Sequence, residues 1–196
     1  MRKRLLIIFI FFLTVSCIKE QDTQLQENTA TLISYFVDKL SHPLPPPPPL
    51  KGEMKLSKEV IDSLMRIKLN IAIYPIMSPI MKRNFKLGEY NSYSKIIDSS
   101  FLIKDNMETP LYLIKSKKGH KLIKADTLLL RKTKDWREYD LLFNISRISF
   151  NKDYSKAICM IGISRSALWG HGGLYLFKKD DKNMWETVKY FKFEEW

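Results

Sequence analysis

The chain has 196 residues, of which 45% are hydrophobic and 28% charged, and it contains only 7 glycines. These values are typical of a globular protein and exclude a fully disordered chain, a collagen-like fibre and a disulfide-stapled miniprotein. The length suits one ordinary domain rather than two. The formal net charge is +12, so anionic partners have to be considered.

The first 16 residues have the layout of an export signal. Basic residues at positions 2–4 precede an uncharged, mostly apolar run at 5–16, which ends at Ser16-Cys17. A membrane-spanning helix needs roughly 20 apolar residues, so this run is too short to span a bilayer and fits a secretory signal instead. We therefore predict that residues 1–16 are a signal peptide.

The junction at Cys17 resembles the lipobox of bacterial lipoproteins of the Bacteroidota type, in which apolar and small residues precede a cysteine. The resemblance implies cleavage after Ser16 and a diacylglycerol on Cys17, hence export and lipid anchoring in the cell envelope, at the outer membrane. Thr14 departs from the commonest pattern, and an ordinary cleavage site with an incidental cysteine is the alternative. The tract 18–22 is similar to those that direct such lipoproteins to the outer face, but a solvated tether explains it equally well, so the leaflet stays open.

Three regions follow the predicted signal. Apolar residues at 25, 32, 33, 36, 37 and 40 have helical spacing, so 17–42 is predicted to hold the lipidated cysteine, a tether and a helix. Residues 43–50 include five consecutive prolines and predict polyproline II, as a rigid spacer or a strap along the surface. A docking site for an aromatic groove is the other interpretation of that run. The main domain is predicted at 51–196.

Within that domain, helices are predicted first and strands afterwards. Ser57 is a plausible N-cap for a helix ending near residue 66, and a second helix is expected at 89–100. Alternating residues predict a strand at 67–74. Further strands or apolar runs are predicted at 111–115 and 121–125 as a hairpin around Gly119, and at 127–131, 145–150, 155–163, 174–178 and 184–193, with 136–143 ambiguous.

This order predicts an α+β fold with a C-terminal antiparallel meander. The curved-sheet NTF2-like fold has the same general order of elements. Residues 157–163 are apolar on both faces, so we place them in a central strand. The C-terminal stretch, with Gly170-x-Gly172-Gly173 and Trp185, also resembles the tail of uncharacterised Bacteroidota lipoproteins, a resemblance that implies no known activity.

Familiar catalytic and metal-binding patterns are missing from the sequence. The three histidines, His42, His120 and His171, lack zinc-site spacing, and we assign no catalytic residue, metal or cofactor. Cys159 lies among apolar strand residues and is expected to be a small core side chain without a disulfide partner. Gly162-Ile163-Ser164-Arg165-Ser166 lacks the last glycine of a nucleophile elbow.

The segment 167–173 is the most distinctive local feature, because it places Trp169 and His171 on a glycine-rich connection between two strands. One interpretation is a binding rim in which the indole stacks and the imidazole forms a hydrogen bond. The other is structural, with glycines permitting a tight link and Trp169 covering the core.

Basic residues crowd into 115–134, and Lys117, Lys118, Lys121 and Lys124 are the candidate binding residues there. An anionic lipid or polysaccharide surface is one possible partner, and a generally solvated surface is the alternative. Nucleic acid is not expected for an exported protein, and the sequence indicates no particular protein partner.

The leading hypothesis is a membrane-anchored, non-enzymatic binding or envelope-structural module. The alternative is a lipid-anchored hydrolase of envelope polymers with His171 as general base. A concave pocket that holds His171 beside a buried carboxylate would favour the hydrolase.

Overall fold

The structure, a computed structural model, describes residues 22–43, 57–128, 130, 138–166 and 169–195, with the backbone alone at 166, 169, 194 and 195. Its main helices are α1 (22–40), α2 (Lys58–Met65) and α3 (Ser94–Ser100), and 3₁₀ turns cover Gly88–Tyr93 and Leu111–Leu113. The strands are β1 (Asn70–Ile73), β2 (Ile76–Met77), β3 (Met107–Glu108), β4 (Lys121–Lys124), β5 (Leu141–Ile145), β6 (Ser149–Phe150), β7 (Lys156–Ser166), β8 (Trp169–Lys179) and β9 (Trp185–Glu195). The predicted signal 1–16, Cys17 and the proline run lie outside the described residues.

The centre of the molecule is an open sheet of seven strands in the order β4-β1-β5-β7-β8-β9, with β6 also paired to β7. Strand β1 runs parallel to both β4 and β5, whereas the other pairs in this sheet are antiparallel. The predicted α+β class is therefore confirmed, with strands β7 to β9 forming the C-terminal meander. The finer likeness to the NTF2-like fold stays a prediction.

Helix α1 covers one face of the sheet and supplies the centre of the main core. Leu32, Ile33 and Phe36 have no exposed surface. The Phe36 ring stacks on Phe143 at 6.2 Å and on Phe177 at 6.1 Å between ring centroids. We predicted a helix ahead of the main domain, and its described part is an integral layer of that domain's core.

The opposite face is covered by two separate groups of side chains. Tyr93, Ile96 and Ile97, from the 3₁₀ turn and α3, pack on the β7–β9 half of the sheet. Leu130 and Tyr139 pack on the β1–β5 half. Among the described residues, a gap between the two groups leaves part of the sheet uncovered, and this gap holds the candidate site.

Several local predictions are confirmed. The Ser57 hydroxyl accepts a hydrogen bond from the Val60 N–H and caps α2. The stretch 157–163 lies inside β7, which pairs with β5 and β6 on one side and β8 on the other. Gly119 has a positive φ of 74°. Helix α2 buries none of its residues, so its apolar stripe remains exposed.

Three predictions are wrong. In the run at 127–131, predicted among the strands, residues 127, 128 and 130 are helical. The hairpin of 111–115 with 121–125 does not form, because Leu111–Leu113 is a 3₁₀ turn and β4 pairs in parallel with β1. The Lys115 N–H instead donates to the Ser34 hydroxyl of α1, so this segment straps the helix. The predicted loop at 167–173 is strand from residue 169 onward, because β8 continues its pairing with β7 to that point.

Candidate binding site

Three residues in backbone register, two of them glycines, cross three strands on the sheet face opposite α1. The backbone register aligns Asn144 of β5 with Gly162 of β7, and Gly162 with Gly172 of β8. Neighbouring residues in register share a face of a sheet, and glycine adds no side chain above it. Gly162 is therefore partly exposed backbone, Gly172 beside it is buried, and both line the floor of a cavity.

The cavity has a volume of about 310 Å³ and largely apolar walls. Met160 and Phe193 border it from β7 and β9, and Met81 contributes an exposed thioether side chain. The Arg83 guanidinium lies 4.5 Å from the centroid of the Phe193 ring, in a cation–π contact. One cation thus stands at the rim of an apolar, flat-floored cleft.

Polar groups at this cavity are available to a ligand. Asn144 and Ser78 line it and are exposed, and neither side chain forms a hydrogen bond within the described part of the chain. An amide can both donate and accept, and a hydroxyl can do the same. A few uncommitted polar groups on an apolar surface are the usual composition of a small-molecule site.

A larger groove of about 480 Å³ runs beside α1, but its polar groups are already used within the protein. The Tyr35 hydroxyl accepts from the Thr187 N–H at 2.9 Å. The Asp38 carboxylate accepts from the Ser116 hydroxyl and the Lys117 N–H at 2.6 and 2.7 Å. This groove is therefore a seam that joins α1 to its neighbours, and the cavity over Gly162 is the better ligand site.

Gly173, next to the cavity floor, has a different role. A Cβ at this position would overlap the Phe191 carbonyl and the Tyr190 ring. The β8–β9 register shifts between His171 and Gly173, so the strands approach closely at an irregularity. Glycine is therefore required at this position by packing.

The structure places His171 inside β8, opposite Ile163 of β7 and Glu195 of β9 in register. Alternation along the strand puts it on the α1 side of the sheet, away from the face to which Gly172 belongs. It does not line any of the described cavities. The Trp169 backbone begins β8, and its side chain lies outside the described part, so the predicted stacking role stays a prediction.

Cys159 is completely buried and has no disulfide partner among the described residues. Burial raises the pKa of its thiol well above the ordinary range, so the reactive thiolate is strongly disfavoured. The predicted assignment as a core side chain is confirmed by its position in the main core.

The candidate lysines do not form one patch. Lys117 and Lys118 lie in the turn before β4, while Lys121 and Lys124 stand at the two ends of that strand. All four are exposed. Because β4 is an edge strand, lysines on it also discourage pairing with a second chain. The basic residues 131, 132 and 134 lie outside the described part.

Lys117 and Lys118 instead belong to a cationic region at the end of α1, which we call the basic end. Its cationic and histidine members are Lys39, His42, Lys68, Lys117, Lys118, His120 and Arg165. The Arg165 guanidinium donates to the His42 carbonyl, and the Lys68 ammonium lies beside Gly119. Four separate parts of the chain thus bring positive charge together.

The two histidines of the basic end have lowered pKa values. Burial lowers the pKa of His120, and the charge of Lys118 adds to this while Asp38 opposes it. Partial burial and the charge of Lys118 lower the pKa of His42. His120 Nδ1 accepts from the Leu69 N–H at 3.2 Å, so its proton lies on Nε2, which is buried and has no partner in the described part.

Sequence reasoning missed most of the cavity. An isolated glycine inside a strand indicates a bulge or a close approach, so Gly162 within its apolar run carried a usable signal. Met81, Arg83 and Asn144 carried none, because only the tertiary arrangement brings them beside the glycine floor.

Within the described ranges, no three His, Cys, Asp or Glu residues are grouped closely enough to hold a metal ion. None of the helices described is both long enough and apolar enough to cross a bilayer. Comparison of the chain with protein-family models, curated proteins and solved structures finds no match.

Proposed function

We propose that this protein is an exported lipoprotein, anchored in the outer membrane through Cys17, whose domain binds a small ligand without transforming it. Its N-terminal basic segment, short apolar run and Ser16-Cys17 junction support the anchor. Two or three acyl chains, each adding about 0.8 kcal/mol per buried CH₂, hold a protein stably on a bilayer.

The observation that carries the binding role is the cavity over Gly162 and Gly172. Its bare backbone floor suits a flat ring, since a planar group can approach a glycine peptide more closely than any other. Met160 and Phe193 would enclose the ring, and Arg83 would face an acidic substituent. The ligand class that fits best is therefore a planar, largely apolar molecule with one acidic group.

The position of α1 determines how the anchor would hold this domain. Only residues 18–21 separate Cys17 from the described start of α1, a reach of at most about 18 Å from Cys17 to Asp22. Because α1 is part of the core, the proline run comes after the domain has begun. It therefore cannot act as a spacer between lipid and domain, and the domain would stay close to the bilayer.

The anchor is tested by the intact mass of protein extracted from membranes. We expect a chain beginning at Cys17, heavier than the polypeptide by two or three acyl groups. The Cys17→Ser variant should fail to acquire this mass and leave the membrane fraction. An unmodified mature mass would contradict the proposal.

The cavity is tested with anilinonaphthalene sulfonate, a fluorescent aromatic acid of the expected class. We expect enhanced fluorescence with the folded wild type and its loss in Gly162→Leu, which fills the floor, and in Arg83→Glu, which reverses the rim charge. Ile61→Ser, on the exposed stripe of α2, is the matched control and should retain the signal. Loss in the control alone would place the dye on α2 and contradict the cavity assignment.

The alternative, a hydrolase with His171 as general base, requires a cavity at this histidine, and His171 lines none of the described cavities. The test is the release of new reducing ends from purified envelope polysaccharide. Release by the wild type that disappears in both His171→Ala and Glu195→Gln would favour the hydrolase over the binding module.

A further inference from the structure

The two ends of α1 lie in regions of different charge. The basic end carries five lysine and arginine side chains besides its two histidines. None of its lysines forms an ion pair within the described part of the chain. The opposite end, which we call the anchor end, contains the start of α1 and the turn at 180–184, where the Lys179 ammonium donates to Asn28.

Two acids lie at the basic end: Asp38, which also accepts from the Ser116 hydroxyl, and Asp140, whose charge acts on Arg165. Asp38 accepts from the Lys117 N–H at 2.7 Å, and Asp140 accepts from the Asn70 N–H at 2.6 Å. These hydrogen bonds hold the carboxylates to the turn before β4 and the start of β1, rather than to the lysine ammonium groups. The lysines are left exposed as mobile positive charges in water.

The distance from the anchor decides which partner these charges can meet. The described part of α1 has 19 residues, which corresponds to about 28 Å of helix. Attraction between exposed charges is screened over about 8 Å at physiological ionic strength. With α1 upright, a bilayer that holds Cys17 lies several screening lengths from Lys117 and Lys118.

We propose that the basic end binds an acidic polysaccharide on the side of the domain that faces away from the anchoring membrane. The inference depends on the proposed lipid anchor for the orientation of the domain, and not for the binding of the polymer itself. Lysine and arginine side chains from four segments suit a polymer with repeated carboxylates, because such a surface needs no fixed stereochemistry. A bilayer bound to the same lysines would require the domain to lie on its side, and the test distinguishes this arrangement.

The experiment uses the lipidated mature protein on phosphatidylcholine vesicles with soluble, fluorescein-labelled polygalacturonate. We expect the polymer to sediment with protein-bearing vesicles and to be released by salt, as screened charge attraction requires. Adding phosphatidylglycerol to the vesicles should leave polymer binding unchanged. Loss of polymer binding on these anionic vesicles would show that the basic end rests on the bilayer, which overturns the proposal.

Two double variants with the same charge change provide the control. Lys117→Glu with Lys118→Glu reverses the charge of two exposed turn residues at the basic end. Lys152→Glu with Lys182→Glu does the same at the anchor end, where the Lys179 N–H donates to the Ser155 carbonyl and joins the turn at 151–155 to the one at 180–184. At about 1 kcal/mol per lysine near an anionic surface, the first pair should weaken polymer affinity roughly tenfold or more. The second pair should change it less than about twofold. Equal losses would show that net charge alone is responsible.

The failure of the anchor can be told apart from the failure of this inference. If Cys17 carries no lipid, the protein will not sediment with vesicles even before the polymer is added. Fluorescence anisotropy of the labelled polymer needs no vesicle and still reports binding by the same protein in detergent. Absence of any salt-sensitive anisotropy change with the wild type would overturn the inference by itself.

Discussion

The two faces of the sheet differ in how completely they are packed. On the α1 face, one continuous cluster runs from the helix across β1, β5, β7 and β8, and Phe36 at its centre has no exposed surface. On the opposite face two smaller clusters leave a cleft over Gly162 and Gly172. We call the α1 face the closed face and the opposite face the open face. The difference indicates that the closed face supplies most of the stability of the fold, so the open face can retain a cavity.

The largest expected effect is on the closed face, at Phe36. Phe36→Ala removes a ring stacked on two others and should lower the free energy of unfolding by about 3–5 kcal/mol. Met81→Ala, on the rim of the open face, should stay within about 0.5 kcal/mol because its side chain is 64% exposed. Urea titrations of both variants measure the contrast, and comparable losses would remove the distinction between the faces.

A pair of glycines sharpens the comparison within adjacent strands. Gly173→Ala forces a methyl group into the Phe191 backbone and the Tyr190 ring, so we expect a loss of about 1–3 kcal/mol. Gly162→Ala adds its methyl group to the cavity and should change stability by less than about 1 kcal/mol. Thermal unfolding of the two variants checks this, and a larger loss at Gly162 would mean that the floor is tightly packed.

Neighbouring positions on β7 allow a smaller and more local test. Cys159→Ala should cost about 1 kcal/mol, because it removes one buried sulfur from the closed face. Native Cys159 should react slowly with a bulky maleimide. In the Cys159→Ala background, Met160→Cys should react much faster, since residue 160 lines the cavity. Rapid labelling of the wild type would contradict the burial of Cys159.

The stability of the fold should also depend on pH, through the buried side chain of His120. Its pKa is lower in the folded protein than the ordinary 6.5, so the unfolded chain binds more protons as the pH falls. The contribution of His120 to stability is therefore complete above about 6.5 and declines as the pH drops toward the folded pKa. His42 acts in the same direction. Urea midpoints measured across this range should decline less in His120→Asn, and an unchanged decline would assign the effect to other groups.

The sequence predicted elements whose signals are local. The apolar stretch 157–163 indicated a central strand, and Ser57 indicated a helix start, because each depends on the residue and its immediate neighbours. The partner of a strand depends on distant residues instead. Lys121–Lys124 therefore looked like half of a hairpin, although the structure pairs it in parallel with β1.

The candidate site was less predictable for the same reason. Gly172 and Gly173 indicated a loop because glycine is common in turns, but in β8 one borders a cavity and the other allows close approach of β9. The charge cluster at 115–134 was visible in sequence, yet its described members separate in space. Lys118 joins Lys39 and Arg165 near His42, while Lys124 lines a cavity together with Gln26 near the start of α1.

The contact between α1 and β9 has a consequence for the time at which this chain can fold. The Thr187 N–H donates to the Tyr35 hydroxyl across 152 residues of sequence, so α1 meets its partner only after the last strand has been synthesised. Contacts this distant in sequence slow folding, since a long loop must close first. On the proposed export route, the nascent chain would reach the membrane with the apolar stripe of α1 still uncovered. Such a chain is well suited to transport as an unfolded polymer and to capture by chaperones that bind exposed apolar segments.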